Sequence, residues 1–162
     1  MNYPGTPAYN KILDNLYLGN LASFLMLSSA PVEEQKKWAV VTALCKEELQ
    51  EFDRKVFFPR YIIEAMDSSR TNIEPALLPV AEFIQKSLDS GLNVLVHCAA
   101  GISRSSTIVI AFLMLRRGMT YDSALAFVQS KRKCVDPNPG FRRQLEELNG
   151  RLYPSKENLI WR

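Results

Sequence analysis

Two short apolar runs rich in valine and alanine constrain the fold of this chain most strongly. They span residues 39–44 and 93–97. Neither run alternates apolar with polar side chains, so each predicts a strand that is covered on both faces. Strands of this kind are typical of a parallel sheet packed between helices. Residues 60–65 predict a weaker third strand, and residues 16–18 a short fourth one.

Helical patterns lie between and after these strands. Residues 77–88 carry apolar side chains at the 3.6-residue period. Residues 103–117 become apolar on every side after the first turn, which predicts a central buried helix. Two more helices are predicted after Thr120 and Asn138, because both side chains can cap a helix N-terminus. The alternation predicts an α/β fold with a central, mostly parallel sheet of four to five strands flanked by helices.

Composition and length exclude several classes of protein. The chain has 162 residues, of which 47% are hydrophobic and 23% charged, as in ordinary globular domains. We expect one folded domain over residues 10–162 behind a short flexible tail, residues 1–9. The net charge of +3 is scattered, which argues against nucleic acid as a partner. The basic residues 131–133 are expected to be a solvated helix end.

Membrane insertion and secretion are also disfavoured. The longest apolar run, residues 108–115, has eight residues, far fewer than the about 20 that a membrane-spanning helix needs. The chain has three cysteines, an odd number without a CxxC pair, and no signal-peptide pattern. We therefore expect a cytoplasmic protein, with the nucleus as an additional location.

The stretch over residues 94–107 carries the chemistry. It places Cys98 at the end of a buried strand and Arg104 at the start of a buried helix, with five residues between them. A turn of this kind directs several backbone N–H groups and the positive end of the helix dipole at one point, where an oxyanion can bind. The same donors favour the thiolate form of Cys98. Gly101 allows close approach of the backbone, and Arg104 offers a planar fork to two phosphoryl oxygens.

The spacing from Cys98 to Arg104 is weak evidence alone, but His97, Gly101 and Ser105 strengthen it. The pattern His-Cys-x-x-Gly-x-x-Arg-Ser resembles the signature of cysteine-dependent protein tyrosine phosphatases. Residues 100–105, Ala-Gly-Ile-Ser-Arg-Ser, resemble the small, atypical dual-specificity branch. The resemblance covers about residues 10–153.

The resemblance implies a protein phosphatase that hydrolyses phosphotyrosine and phosphoserine or phosphothreonine. Cys98 would form a thiophosphate intermediate, and Ser105 would help its sulfur to leave. Asp67 is the candidate general acid because it follows a predicted strand, as the acid loop of the family does; Asp53 and Asp89 are its rivals. The expected phosphate-binding residues are Ala99, Ala100, Gly101, Ile102, Ser103 and Arg104.

No cofactor and no metal are implied, since the single histidine and three cysteines lack the paired spacing of a zinc site. The expected partners are phosphorylated proteins, which could include kinases, and the oligomeric state is left open. Two alternatives remain. One is a phosphatase of a phosphoinositide, a glycan or an RNA 5′-phosphate on the same scaffold, and the other is a phosphopeptide-binding module without turnover.

Three further residues have two interpretations each. His97 could act as a general base, but at a strand end it is better interpreted as orienting the loop. Arg70 is interpreted as a surface charge rather than a substrate contact. Cys45 follows the strand next to that of Cys98 and could trap an oxidised Cys98 as a reversible disulfide, or it could be an inert, packed thiol.

Overall fold

A computed structural model describes residues 5–154 and shows an α/β fold. Within these residues the chain forms five strands and seven helices. Their order is β1 (Tyr9–Leu13), β2 (Leu16–Gly19), α1 (Leu21–Ser28), α2 (Val32–Gln35), β3 (Trp38–Leu44), α3 (Lys46–Glu51), β4 (Arg60–Glu64), α4 (Glu74–Asp89), β5 (Asn93–His97), α5 (Arg104–Arg117), α6 (Tyr121–Lys131) and α7 (Pro139–Leu152).

The strands form one sheet in the order β1-β2-β5-β3-β4. β1 pairs antiparallel with β2, and every other pair is parallel. In the register of the sheet, Thr42 on β3 lies opposite His97 on β5, and Leu44 lies opposite Glu64 on β4. The predicted, mostly parallel sheet of four to five strands is therefore confirmed.

The helices cover the two faces of the sheet unequally. The larger core lies on the face that carries α4 and α5, and α6 and α7 pack against α5 from outside. A smaller core lies on the opposite face, where Phe24 of α1 packs near Val40 and Leu95. Burial on both faces explains why β3 and β5 are apolar throughout. The predicted central helix is also confirmed, because every residue from Arg104 to Met114 is buried.

The structure corrects the boundary of the predicted N-terminal tail. Tyr9 begins β1, and the carbonyls of Pro7 and Ala8 accept hydrogen bonds from the folded domain, so that domain reaches back beyond residue 10. Residues 1–4 of the predicted tail lie outside the described part. Helix α4 begins at Glu74, ahead of the periodic apolar positions that start at Leu77, and Pro79 lies in its second turn.

Helix caps explain which local predictions succeeded. The side chain of Asn138 accepts a hydrogen bond from the Phe141 amide at 2.9 Å, and that of Thr120 accepts one from the Ser123 amide at 3.2 Å. Both caps are therefore confirmed.

The short helices α1, α2 and α3 were not predicted, because helices of four to eight residues have little periodic pattern. No helix within residues 5–154 combines the length and apolarity needed to cross a bilayer.

Candidate active site

The candidate site lies where the parallel strands end. Cys98 directly follows β5, Ala65 follows β4 and Cys45 follows β3. Because parallel strands end at the same edge of a sheet, these three positions and the loops after them converge there. The loop at residues 98–104 joins β5 to the first residue of α5. Side chains that are far apart in sequence therefore meet around this loop.

The carbonyl groups of the 98–104 loop are tied to the surrounding scaffold. Ala99 O accepts a hydrogen bond from Leu21 N at 3.0 Å, and Gly101 O accepts one from Arg132 Nε at 2.9 Å. Ile102 O accepts from Asp136 N at 2.9 Å, and Ser103 O accepts from Thr107 Oγ1 at 2.8 Å. In a trans peptide the carbonyl and the following N–H point in opposite directions. The N–H groups of residues 100 and 102–104 are therefore turned away from the scaffold. Together with the N-terminus of α5 they form a cradle suited to an oxyanion.

The sulfur of Cys98 lies inside this cradle, and its residue is 2% exposed. The Gly101 amide donates to Cys98 Sγ at 3.3 Å, and Ser105 Oγ lies 3.0 Å from the sulfur. Gly101 has a φ of +69°, and a Cβ there would lie 2.8 Å from the Gly19 carbonyl. Glycine is therefore required at this position both for its backbone conformation and for space. The structure brings Cys98, Gly101 and Ser105 together as the sequence suggested.

Arg104 is buried at the start of α5, and its hydrogen bonds to residues 5–154 are both made by Nη1. Its Nη1 donates to Glu48 Oε1 at 2.7 Å and to the Ala65 carbonyl at 3.0 Å. Within residues 5–154 its buried Nε has no hydrogen-bond partner. Burial opposes the charged form, but Glu48 and the neighbouring Cys98 outweigh it and raise the pKa of Arg104. A free N–H on a fixed cation beside the cradle is suited to a phosphoryl oxygen.

Glu48, which was not among the predicted site residues, holds Arg104. Partial burial acts to raise the pKa of Glu48, but Arg104 and the Cys45 amide outweigh it and lower this pKa to about 2. Glu48 Oε1 also accepts from the Cys45 amide at 2.9 Å, and this contact belongs to a capping box at the start of α3. The spacing Cys-x-x-Glu could have indicated the cap. It could not have indicated the contact with Arg104, which is 56 residues away.

Asp67 lies in the 65–73 segment, between β4 and α4, and its side chain is exposed. Asn138 Nδ2 donates to Asp67 Oδ1 at 2.9 Å. The backbone N–H of Asn138 donates to Ser103 Oγ in the 98–104 loop, also at 2.9 Å. Asn138 thus connects Asp67, the loop and α7, whereas the sequence indicates only its role as a helix cap.

The N-terminal part of α7 supports the rest of the 65–73 segment. Gln144 Oε1 accepts from the amides of Ile73 and Glu74 at 2.9 and 3.0 Å, and its Nε2 donates to the Thr71 carbonyl at 2.9 Å. Gly140 packs directly against the backbone of Ser69, where a Cβ would clash. The position of Asp67 is therefore set by tertiary contacts as well as by its own loop.

His97 is fully buried, and its ring stacks on Phe24 with centroids 4.8 Å apart. Its Nδ1 lies 3.3 Å from the Cys98 carbonyl, which can only accept, so we assign the proton to Nδ1. Its Nε2 then accepts from Thr42 Oγ1 at 2.7 Å, and Arg60 Nε donates to that oxygen. Burial lowers the pKa of His97 to about 3. The ring is neutral at physiological pH and fits the interpretation that it orients the loop.

The remaining predicted residues lie in different places. Asp89 ends α4, a 16-residue helix that begins beside the 65–73 segment, so it lies about 24 Å along the helix from that segment. Asp53 follows α3, and its charge acts on Arg60. Arg70 is exposed. Cys45 is a free thiol, like Cys98; its interaction with the Glu48 amide favours the thiolate, but the Glu48 carboxylate and burial outweigh it and raise the Cys45 pKa.

Comparison with known proteins agrees with this geometry. The model of the dual specificity phosphatase catalytic domain matches residues 16–151, which is most of the chain. The chain belongs to the dual-specificity phosphatase family. The family membership and the relatives support a protein phosphatase function.

Two relatives illustrate the range of the family. The human serine/threonine/tyrosine-interacting protein is 36% identical over 157 residues, which cover 95% of this chain and 70% of that protein. The crystal structure of that human protein, described as tyrosine phosphatase-like, aligns with a TM-score of 0.73 at 32% identity, over 88% of this chain and 95% of that chain. Dual specificity protein phosphatase 1 of Arabidopsis thaliana is 42% identical over 96 residues, 59% of this chain and 48% of that protein.

Proposed function

We propose that this chain hydrolyses phosphotyrosine and phosphoserine or phosphothreonine in proteins through a Cys98 thiophosphate intermediate. One observation carries the proposal: the Cys98 sulfur and the Nε of Arg104, which has no hydrogen-bond partner among residues 5–154, belong to the same cradle of inward-facing amides. A nucleophile and an oxyanion site in this arrangement suit phosphoryl transfer.

In the first step the thiolate of Cys98 attacks phosphorus, forming the P–S bond while the bond to the leaving oxygen breaks. Asp67, as a carboxylic acid, gives its proton to that oxygen. The loop amides and Arg104 bind the three equatorial oxygens, which carry the charge of the transition state. The Asn138 contact to Asp67 Oδ1 leaves the other oxygen of the carboxyl to carry the proton.

In the second step a water molecule attacks phosphorus and gives a proton to the Asp67 carboxylate. The P–S bond breaks, and the sulfur leaves as a thiolate. Ser105 Oγ and the Gly101 amide stabilise the returning negative charge from 3.0 and 3.3 Å. Inorganic phosphate is released, and both residues return to their starting protonation states.

Protein substrates are favoured by the surface around the cradle. The loop positions Ala99, Ala100, Ile102 and Ser103 offer no additional cation, whereas a polyphosphorylated lipid or an RNA 5′-triphosphate would be matched by Lys or Arg there. Met66, next to Asp67, is 65% exposed and offers an apolar contact to a residue that flanks the phosphorylated one. We propose phosphorylated proteins of the cytoplasm or nucleus, kinases included, as the substrates.

Hydrolysis of para-nitrophenyl phosphate from pH 5 to 8 with excess EDTA tests the chemistry. The unmodified, reduced protein should turn over, and Cys98→Ser should abolish turnover while retaining phosphate affinity. Turnover of unchanged rate in Cys98→Ser would refute the nucleophile. Absence of turnover in the unmodified protein would support the phosphopeptide-binding alternative.

The role of Asp67 is tested by the leaving group. Asp67→Asn should slow hydrolysis of a phosphoserine peptide much more than that of para-nitrophenyl phosphate, because nitrophenolate leaves without a proton. Asp53→Asn is the matched control and should affect neither substrate. Equal losses on both substrates would exclude Asp67 as the acid.

Substrate class is tested by the ratio of kcat/KM values. Phosphotyrosine and phosphothreonine peptides are compared with soluble inositol phosphates, phosphoglucan and RNA 5′-triphosphate. A higher kcat/KM on any non-protein substrate would replace the protein proposal with the alternative.

A further inference from the structure

Arg132 is a buried cation behind the 98–104 loop. The basic residues 131–133 were expected to be a solvated helix end, and Lys131 and Lys133 are exposed. That expectation is wrong for Arg132, which follows α6 and is 1% exposed. Local sequence could not indicate this, because the residues that cover Arg132 come from the N-terminal segment and from the 98–104 loop.

The guanidinium of Arg132 connects that loop to the N-terminal segment. Its Nε donates to the Gly101 carbonyl at 2.9 Å. Its Nη1 donates to the Pro7 carbonyl at 2.7 Å and to Asn10 Oδ1 at 2.8 Å. Its Nη2 lies 2.6 Å from the position that a Cβ on Gly101 would take. Arg132 therefore occupies the space behind the loop where a side chain at position 101 would lie.

Among residues 5–154, no carboxylate forms a salt bridge with Arg132. In the same part of the chain, the buried Nη2 of Arg132 has no hydrogen-bond partner. Burying a cation in this way is unfavourable unless an anion is nearby. Burial lowers the pKa of Arg132, whereas Cys134 and Cys98 act to raise it. The anions that the proposed reaction brings close are the Cys98 thiolate and the substrate phosphate.

We propose that Arg132 is a positioning residue for phosphate binding. It holds the Gly101 carbonyl outward, so that the Ile102 N–H of the same peptide unit faces the phosphate. Its positive charge, which no carboxylate of residues 5–154 pairs with, favours the bound dianion from behind the loop. The same guanidinium binds Pro7 and Asn10. The N-terminal segment that contains these two residues therefore supports the phosphate site through Arg132. This inference rests on the proposed function of the cradle.

Tungstate, an oxyanion similar in shape to phosphate, provides a direct test. Its Kd is measured by calorimetry in the Cys98→Ser background, where no turnover interferes. Adding Arg132→Met, which removes the charge and all N–H donors, should weaken tungstate binding by about tenfold. Adding Arg132→Lys, which keeps the charge but cannot reach all three acceptors, should weaken it by about threefold. Arg116→Met removes an exposed charge at the far end of α5 and is the matched control, with unchanged Kd.

Kinetics and stability separate positioning from a purely structural role. With active Cys98, Arg132→Met should raise the KM for para-nitrophenyl phosphate more than it lowers kcat. A lower melting temperature with unchanged tungstate Kd and unchanged KM would overturn the proposal. If Arg132→Met does not fold, Arg132→Lys decides, and unchanged tungstate affinity in that variant overturns the proposal.

The test also separates this inference from the proposed function. Tungstate binding that depends on Arg132 in a protein without hydrolytic activity would overturn the phosphatase proposal and keep the positioning role. Hydrolysis whose KM and kcat do not change in Arg132→Met would keep the phosphatase proposal and overturn the positioning role of Arg132. A Cys98→Ser reference that does not bind tungstate, together with an unmodified protein that does not hydrolyse para-nitrophenyl phosphate, would overturn both.

Discussion

Replacing Glu48 with glutamine should weaken the contact that holds the Arg104 guanidinium in the candidate site. Glu48 Oε1 accepts from Arg104 Nη1 at 2.7 Å and from the Cys45 amide at 2.9 Å. Glutamine has the same length and retains a carbonyl oxygen, so Glu48→Gln removes the charge with little change in volume. Arg104 would keep only the Ala65 carbonyl and a neutral contact for a buried guanidinium.

The magnitude follows from the pKa of Glu48. This pKa is about 2 in the folded protein, against 4.5 in the ordinary case, a difference of about 2.5 units. At 1.36 kcal/mol per unit this corresponds to about 3 kcal/mol as an upper bound. The Glu48 side chain is 26% exposed, and solvent screening reduces the value, so we expect a loss of about 2 kcal/mol at pH 7.

The pH dependence has a definite sign, because the folded-state pKa is lowered. Above pH 4.5 the carboxylate is ionised in both the folded and the unfolded chain, and its contribution to stability is complete. Between pH 4.5 and about 2 the unfolded chain binds a proton first, so the contribution is lost as the pH falls. The difference in unfolding free energy between the unmodified protein and Glu48→Gln should therefore shrink over this range.

Urea unfolding at pH 7, 5, 4 and 3 measures this difference. Glu47→Gln is the matched control, since Glu47 is an exposed neighbour in the same helix turn, and we expect it to change stability by less than about 0.5 kcal/mol. For Glu48→Gln, kcat/KM for para-nitrophenyl phosphate should also fall, because Arg104 is less well held. A stability loss of the same size at pH 3 and pH 7, or no loss at pH 7, would refute the reasoning.

Three other predictions concern the reaction and its regulation. Ser105→Ala should lower kcat while leaving kcat/KM nearly unchanged and should produce a burst of nitrophenol, because the second step loses a donor to the leaving sulfur; a proportional fall of both constants without a burst would contradict this. Asn138→Ala should cost about 1 kcal/mol as a lost helix cap and should slow hydrolysis of a phosphoserine peptide, whereas Thr120→Ala should have only the stability effect; equal activity in the two variants would exclude a role for Asn138 in holding the general acid. If Cys45 traps oxidised Cys98 rather than being an inert thiol, mild peroxide should yield a disulfide between them that thiols reverse; peptide mapping that finds only sulfinic acid at Cys98 and a free Cys45 would end that hypothesis.

Local sequence was sufficient for the elements that carry their own signal. The apolar runs over 39–44 and 93–97 indicated β3 and β5, because a strand covered on both faces has no polar side. Asn138 and Thr120 indicated two helix starts, because a cap acts within three residues of itself. The spacing from Cys98 to Arg104 indicated the site for the same reason: the strand end, the turn and the helix start are contiguous in the chain.

Tertiary structure alone decided the contacts that complete the site. Glu48 is 56 residues from its partner Arg104 in the sequence, and Asn138 is 71 residues from its partner Asp67. Pro7 is 125 residues from its partner Arg132. These contacts depend on strand order and on the packing of α7 and the N-terminal segment, which no local pattern encodes. Glu48 had the sequence of an ordinary cap residue, and Arg132 had that of a solvated helix end. The sequence could therefore indicate the candidate catalytic groups. The fold determined which charged groups hold them, because burial and pairing of charges are properties of the assembled protein.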